Sequence, residues 1–438
     1  MKMDLLGTYF SRLKQRSALR WRGRVIEAVG STIESSGPLA SIGEICEIVD
    51  LAGVRHLAEV IGFRGSNVLS MPVESADGIR YGDPVEGLGI APHLEVGADL
   101  IGRVLNALGQ PIDGNRSPSV NAIVPLDGVV PHPLERTPIR VPLGTGIRVL
   151  DGLLTIGRGQ RVGIFGGSGV GKSTLIGMMT RNTQADIVVV GMVGERGREV
   201  GEFLSEILGV EGRKRAVVVV STSDQPPLMR IRASLAATSI AEYFATLGKH
   251  VLLVLDSLTR FAMAAREVGL AAGEPPTAKG YTPSVFNKLA RLIERAGQFR
   301  VGSITAFYTV LMEGDDQQDP LVDAVRSFLD GHIVLSRALA SEGWYPPVDV
   351  LDSISRLMPS VVSAEHKQAA NAVRRMLAIH SRSEDLIRIG AYKPGTDVEL
   401  DRAIHSRPYI RSYMEQEARE QVTFSDNLDR LLALAQGL

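Results

Sequence analysis

Arg161-Val162-Gly163-Ile164-Phe165 runs directly into Gly166-Gly167-Ser168-Gly169-Val170-Gly171-Lys172-Ser173, and Thr174-Leu175-Ile176-Gly177-Met178-Met179 follows. The apolar opening is strand-like, the middle matches G-x-x-x-x-G-K-[ST], and the end starts a helix, which is the context this pattern requires. Its glycines let successive backbone N–H groups converge on phosphate oxygens. The helix N-terminus adds its partial positive charge at the same spot. Lys172 is expected to reach the β- and γ-phosphates as a point charge, and the Ser173 hydroxyl to be a Mg²⁺ ligand. Residues 166–174 are therefore the expected nucleotide-binding loop. A Gly-rich turn that binds nothing would not need the lysine and hydroxyl in these places.

Further along the chain, apolar runs alternate with helical patterns from about Gly144 to Pro359, which predicts a parallel sheet flanked by helices. One run, Val251-Leu252-Leu253-Val254-Leu255, ends in Asp256, where an acid at the carboxyl end of a strand can hold Mg²⁺ directly or through water. Another, Ile187 to Val193, leads into Gly194-Glu195-Arg196-Gly197-Arg198-Glu199. A carboxylate there can orient an attacking water, and a neighbouring guanidinium can stabilise phosphoryl charge. By composition alone, a solvated charge cluster on a loop is the favoured reading of the same residues.

Upstream the texture changes. Between Trp21 and Gly87, β-rich runs (Arg24 to Val29, Glu44 to Val49, Leu57 to Gly62, Val68 to Met71) are separated by turn signals such as Ser36-Gly37-Pro38. That spacing predicts a small all-β barrel. Gln110-Pro111-Ile112-Asp113-Gly114 and Pro131-His132-Pro133 read as loop and linker. Before the barrel, Leu5, Leu6, Tyr9, Phe10 and Leu13 recur at helical spacing among Lys2, Arg12, Lys14 and Arg16. This segment is either a first helix packed on its own domain or a basic amphipathic tether for a partner or anionic membrane. After Glu365 the chain turns helical, with Ala369, Val373, Met376 and Leu377 at core spacing. The expected division is 1–18 amphipathic helix, 19–90 barrel, 91–365 nucleotide-binding domain and 366–438 helical domain. With 438 residues, a net charge of -1 and one cysteine, Cys46, nothing global points to nucleic acid or to a disulfide framework. No apolar run at the N-terminus suits a signal peptide, so the chain reads as cytosolic.

Together these segments resemble the rotary-ATPase family of P-loop proteins, and within it the type III secretion ATPases, most nearly those of flagellar export. The resemblance is carried by Gly166 to Ser173, Gly194 to Val200 (GERGREV), Asp256 to Phe261 (DSLTRF) and Gly273-Glu274-Pro275-Pro276. Gly280 to Ser284 (GYTPS), Glu313 to Asp316 (EGDD), Asp330 to Arg337 (DGHIVLSR) and Trp344 to Arg356 (WYPPVDVLDSISR) continue it in family order. It implies an α/β fold: a RecA-like P-loop core with a parallel sheet, after a small β-barrel and before a C-terminal helical domain. It assigns water activation to Glu195, a phosphate contact to Arg196, the Mg²⁺ relay to Asp256 and adenine packing to Tyr345. Arg356 corresponds to an arginine finger that reaches into the neighbouring subunit's site. The resemblance also implies a hexameric ring on the cytoplasmic face of the inner membrane. Implied partners are a stator-like regulatory dimer on the N-terminal segment, a coiled-coil stalk in the pore, chaperone–substrate complexes and a membrane export gate. Two departures stand out: Leu289 to Arg295 lacks the family's preceding proline, and Trp344 replaces a histidine ahead of Tyr345-Pro346.

Four readings remain: an export ATPase of flagellar or of virulence type, a rotary synthase catalytic subunit, a ring RNA translocase, and a nucleotide-binding subunit without turnover. The synthase would carry a longer C-terminal helical domain than the segment after Arg356. The translocase would need aromatic stacking platforms in a basic groove, and residues 19 to 90 offer only scattered Trp21, Phe63 and Tyr81. Intact Lys172, Glu195, Asp256 and Arg356 weigh against a subunit without turnover.

Overall fold

The computed structural model describes residues 21–312 and 319–438. The amphipathic N-terminal segment and residues 313–316 lie outside them.

Six strands, β1 (Arg22–Val29), β2 (Thr32–Ser35), β3 (Ile45–Val49), β4 (Arg55–Arg64), β5 (Asn67–Pro72) and β6 (Pro84–Gly87), close into a barrel in the order β1-β2-β5-β4-β3-β6. Alternate residues point inward, so Val25, Ile33, Ile48, Ala58, Val60 and Val85 form a sealed apolar core. The sequence reading lacks β2 and β6. Both are four residues long and carry an acid, too short for alternation to register; their pairing comes from closure of the barrel. At Gly23, β1 passes so near the Gly37 turn that a Cβ would sit 2.4 Å from its carbonyl. Only glycine allows that approach.

The central sheet runs in the order Val348–Ser355, Gly331–Leu335, Arg161–Gly166, Ser303–Leu311, His250–Asp256, Ile187–Glu195, Ala216–Thr222, Val104–Asn106. Neighbours are parallel except the first pair, and Gly297–Gln298 adds a short antiparallel turn on Ser303–Leu311. Both faces are covered, which is why Ile187–Glu195 and His250–Asp256 read as unbroken apolar runs. Successive side chains separate cleanly: Val189, Val217 and Leu253 pack with the helix Pro227–Thr246. Val188, Val190, Val218 and Leu252 pack on the opposite face with Leu175, Ile176 and Met179 of the helix Lys172–Asn182. Val104–Asn106 lies upstream of the alternating stretch from Gly144; three residues carry no pattern of their own.

Three helices, Ala364–Arg388, Val398–Met414 and Phe424–Gln436, close the chain. Each begins at a side-chain cap: Ser363 accepts from the His366 N–H, Asp397 from Glu399 and Leu400, Thr423 from Asp426. Ala369, Val373 and Met376 are buried and Leu377 partly so. The helices dock on the segment just before the P-loop strand. Gln416 accepts from the Arg148 N–H at 2.8 Å and donates to the Gly146 carbonyl at 2.8 Å, and Asn427 donates to the Arg148 carbonyl at 3.0 Å. Among the described residues no helix is long and apolar enough to cross a membrane.

Another long-range tie is Arg295, at the end of the helix Pro283–Glu294, with its side chain 3% exposed. It donates to both Glu242 carboxylate oxygens at 2.7 Å, to the Leu126 carbonyl at 2.8 Å and to Ser239 Oγ at 2.8 Å. Removing one partner of a buried pair leaves the other charge uncompensated. Arg295→Met should therefore destabilise the first urea unfolding transition by about 3 kcal/mol. A loss below about 1 kcal/mol would show that the pair contributes no more than a surface contact.

Candidate active site

The strand Arg161–Gly166 delivers its buried carboxyl end to the loop, and the helix begins at Lys172. Two loop glycines take left-handed backbone, Gly169 at φ 77° and Gly171 at φ 93°, which curls the chain without a Cβ penalty. Ser168, Gly169, Ser173 and Thr174 are exposed, whereas Gly166, Gly167, Val170 and Lys172 are buried. The first turn's N–H groups have no partner inside the helix, as at any helix start. Lys172 Nζ donates to the Gly166 carbonyl at 2.9 Å and also to that of Gly167. Burial lowers its ammonium below the usual lysine value, and the charges of Asp256 and Glu195 oppose this.

Those two carboxylates stand at the ends of neighbouring strands. The register pairs Met192 with Asp256, and the Ile187–Glu195 strand slips by one residue between Val193 and Glu195. The slip falls at Gly194, φ 69°, where a Cβ would lie 3.1 Å from Arg260 Cβ. Glycine thus lets the Arg260 side chain lie against the strand end, and after the slip Glu195 pairs with Thr222, one strand away from Asp256. Asp256 is buried, and Thr309 Oγ1 donates to its Oδ1 at 2.6 Å. Burial raises its carboxyl above the usual range, against the pull of Thr309, Lys172 and Arg260. Glu195 is pushed up to about 7, first by burial and then by the Asp256 charge, with Arg260 opposing. A lysine and two acids are held here in surroundings that penalise each charge.

Tyr345 lies beside the loop: a Cβ on Gly171 would be 3.9 Å from Tyr345 Cε1. Its ring is half exposed, and its carbonyl accepts from the Gln416 N–H at 2.9 Å. Trp344 is buried instead, with the Arg407 and Arg411 guanidiniums 5.9 and 5.4 Å from its ring centre. The departure at this position therefore concerns packing of the helix Val398–Met414. The structure does not bring Arg196 to the cluster. Its side chain is exposed and faces Glu199 at 3.4 Å. Arg356 lies farther still. The register Val162–Gly331–Ser355 puts it beside Asp330 and Arg161, at the amino end of the P-loop strand. That is about 16 Å of strand from Gly166. Its side chain is exposed and has no ion pair among the described residues, including none with Asp352.

Arg260 and Thr309 complete the cluster and were not singled out from the sequence. Arg260 stood in plain view inside the Asp256 to Phe261 block; Thr309 sits mid-way along an apolar run that only the sheet order brings beside Asp256. No group of three or more His, Cys, Asp or Glu among the described residues can hold a metal ion alone. Mg²⁺ is a different case: it takes one or two protein oxygens and completes its shell with water and phosphate. The exposed Ser173 hydroxyl and the second oxygen of Asp256 fit that demand.

Three family models match the chain: the ATP synthase alpha/beta family beta-barrel domain over residues 25–89, its nucleotide-binding domain over 146–355, and the T3SS EscN ATPase C-terminal domain over 362–433. A flagellum-specific ATP synthase of Pseudomonas aeruginosa is 52% identical over 420 residues, 95% of this chain and 93% of that one. The assembled ATPase EscN from the type III secretion system of enteropathogenic E. coli superposes with a TM-score of 0.90 at 44% identity, covering 94% of this chain and 100% of EscN. EscN in complex with its central stalk EscO superposes at 0.86 with 42% identity over the same shares. The chain belongs to the type III secretion ATPases, the branch of the ATP synthase alpha/beta family that joins that barrel and nucleotide-binding domain to an EscN-type C-terminal domain.

Proposed function

We propose that this chain hydrolyses Mg-ATP as a hexameric ring and thereby drives type III protein export, in its flagellar form. The observation that carries hydrolysis is the convergence of Lys172, Asp256 and Glu195 at the carboxyl ends of three central strands. The flagellar assignment rests on the Pseudomonas relative.

Residues 166–174 cradle the phosphates, and Lys172 transfers its hydrogen bonds from the loop carbonyls to the β- and γ-phosphates. Ser173 and Asp256 would hold Mg²⁺, Asp256 directly or through water, and the ion would supply charge neutralisation at the phosphates. Glu195 orients the attacking water and accepts its proton, a role suited to a carboxyl tuned toward neutrality. Arg260 keeps Glu195 from rising further. Arg196 exchanges Glu199 for phosphate when nucleotide binds, and Tyr345 packs on the adenine. Arg356, remote from its own loop, serves the neighbour's site. The assembled EscN structure and its complex with EscO support a ring with a central stalk. In this reading residues 1–18 tether a regulatory dimer, 19–90 and 91–365 build the ring, and 366–438 meet chaperone–substrate complexes. The ring works on the cytoplasmic side of the export gate, without nucleic acid.

Glu195→Gln keeps the shape and loses the base, so it should retain nucleotide binding while turnover falls by at least about 10²-fold. Near-normal turnover would place the base elsewhere. The same variant has a stability signature. A carboxyl raised to about 7 in the folded state contributes stability below its ordinary range, and loses it as pH rises through 7. Without metal and nucleotide, Glu195→Gln should melt above the parent at pH 8 and level with it at pH 4.5. An equal difference at both pH values would contradict the burial of this charge.

Mixing tests the neighbour's role. Lys172→Ala and Arg356→Ala should each be nearly inactive, the latter by about 10³-fold or more. Co-assembled, they form interfaces that pair an intact loop with an intact arginine, and activity should partly return. Co-assembly without recovery would show that Arg356 does not act in trans.

A further inference from the structure

At the end of the sheet away from the P-loop, where the strands His250–Asp256 and Ser303–Leu311 begin, there is a cavity of about 350 Å³. Arg140, Arg158 and Arg300 line it, together with His250, Ser303 and Asp186. Neither Arg140 nor Arg158 has a side-chain ion pair or hydrogen bond among the described residues, and Arg300 makes only a 3.5 Å contact to the Leu134 carbonyl. Asp186 is the one acid of the lining, and it already accepts from the His250 N–H at 2.7 Å. The walls are held by backbone bonds, Arg158 N–H to the Val141 carbonyl at 2.9 Å and Thr137 N–H to Gln298 at 3.0 Å. Two polar atoms of the lining are buried without a partner: His250 Nε2, on a residue 8% exposed, and Arg158 Nε. His250 Nδ1 is 2.5 Å from Ser303 Oγ, so a hydroxyl donating there leaves Nε2 carrying the hydrogen. Burial and the Arg158 charge lower the imidazole to about 4, so at neutral pH the ring adds no charge to the pocket, and with Ser303 donating to Nδ1 it offers its Nε2–H.

We propose that this cavity is a second ligand site, separate from the P-loop, that binds a small phosphorylated anion. Three guanidiniums against one committed carboxylate leave a net positive pocket with unused donors. Three guanidinium forks offer more donors than the two oxygens of a carboxylate can take, whereas the three or more oxygens of a phosphate can accept from several forks at once. The volume admits a pyrophosphate or the phosphate end of a nucleotide. Arg158 and His250 form its floor, Arg140 and Arg300 its exposed rim. Arg356 lies at the same end of the sheet, so an occupant here would sit on the side opposite the chain's own catalytic loop.

The test uses the full chain carrying Lys172→Ala, which weakens the P-loop, and titrates it calorimetrically with pyrophosphate at constant ionic strength. One saturable site is expected. Adding Arg140→Ala and Arg300→Ala, both exposed and harmless to folding, should weaken it at least tenfold; Arg158→Met should do so independently. Repeating the titration with inorganic phosphate and with ATP separates a free phosphate from a nucleotide as the source. Sulfate binding equally well would show a general anion trap and overturn phosphate selectivity. Absence of saturable binding, or pyrophosphate affinity unchanged by the rim variants, would overturn the site itself.

Discussion

The structure depends on holding charge where burial works against it. Lys172, Asp256 and Glu195 meet at the carboxyl ends of parallel strands whose two faces are both covered, so the sheet interior that fixes their positions also withdraws water from them. Burial shifts all three toward neutrality: the lysine down, the two acids up. The two acids hold the lysine charge up, Lys172, Thr309 and Arg260 hold Asp256 down, and Arg260 holds Glu195 down against burial and the Asp256 charge. Such a site is poised to gain when phosphate and a divalent cation bring matching charge, because interactions in this medium exceed their value in water.

Topology decides what the site lacks. The strand Val348–Ser355 turns back antiparallel to Gly331–Leu335 and carries its end to the opposite rim of the sheet. Tyr345, before that strand, stays beside the loop; Arg356, after it, is taken away. One polypeptide therefore places Glu195, Lys172 and Tyr345 at one end of the sheet and the Arg356 guanidinium, far from its own loop, at the other. The Gln416 bond to the Tyr345 carbonyl and the arginines around Trp344 link this hinge of the site to the C-terminal helices.

Much of this was legible in the sequence, for physical reasons. The P-loop needs glycines at positions of positive φ, and Gly169 and Gly171 occupy them. Strands buried on both faces must be apolar throughout, so His250–Asp256 and Ile187–Glu195 could be read to within two residues. Barrel strands β2 and β6 were hidden because short edge-closing segments have no period. Arg260 and Thr309 were missed because their role comes from register and from a glycine slip at Gly194, neither of which a linear pattern contains. Of the residues the resemblance named, Tyr345 stands beside the loop, whereas Arg196 stands apart on Glu199.

The central claim is that an isolated subunit lacks a cation essential for turnover and that association supplies it. ATP turnover per subunit, measured over a wide range of protein concentration with ring formation followed by mass photometry, tests this most directly. Turnover per subunit is expected to be near zero for monomer, to rise steeply as rings appear and to level when assembly is complete. Turnover per subunit that stays constant from monomer to ring would contradict it.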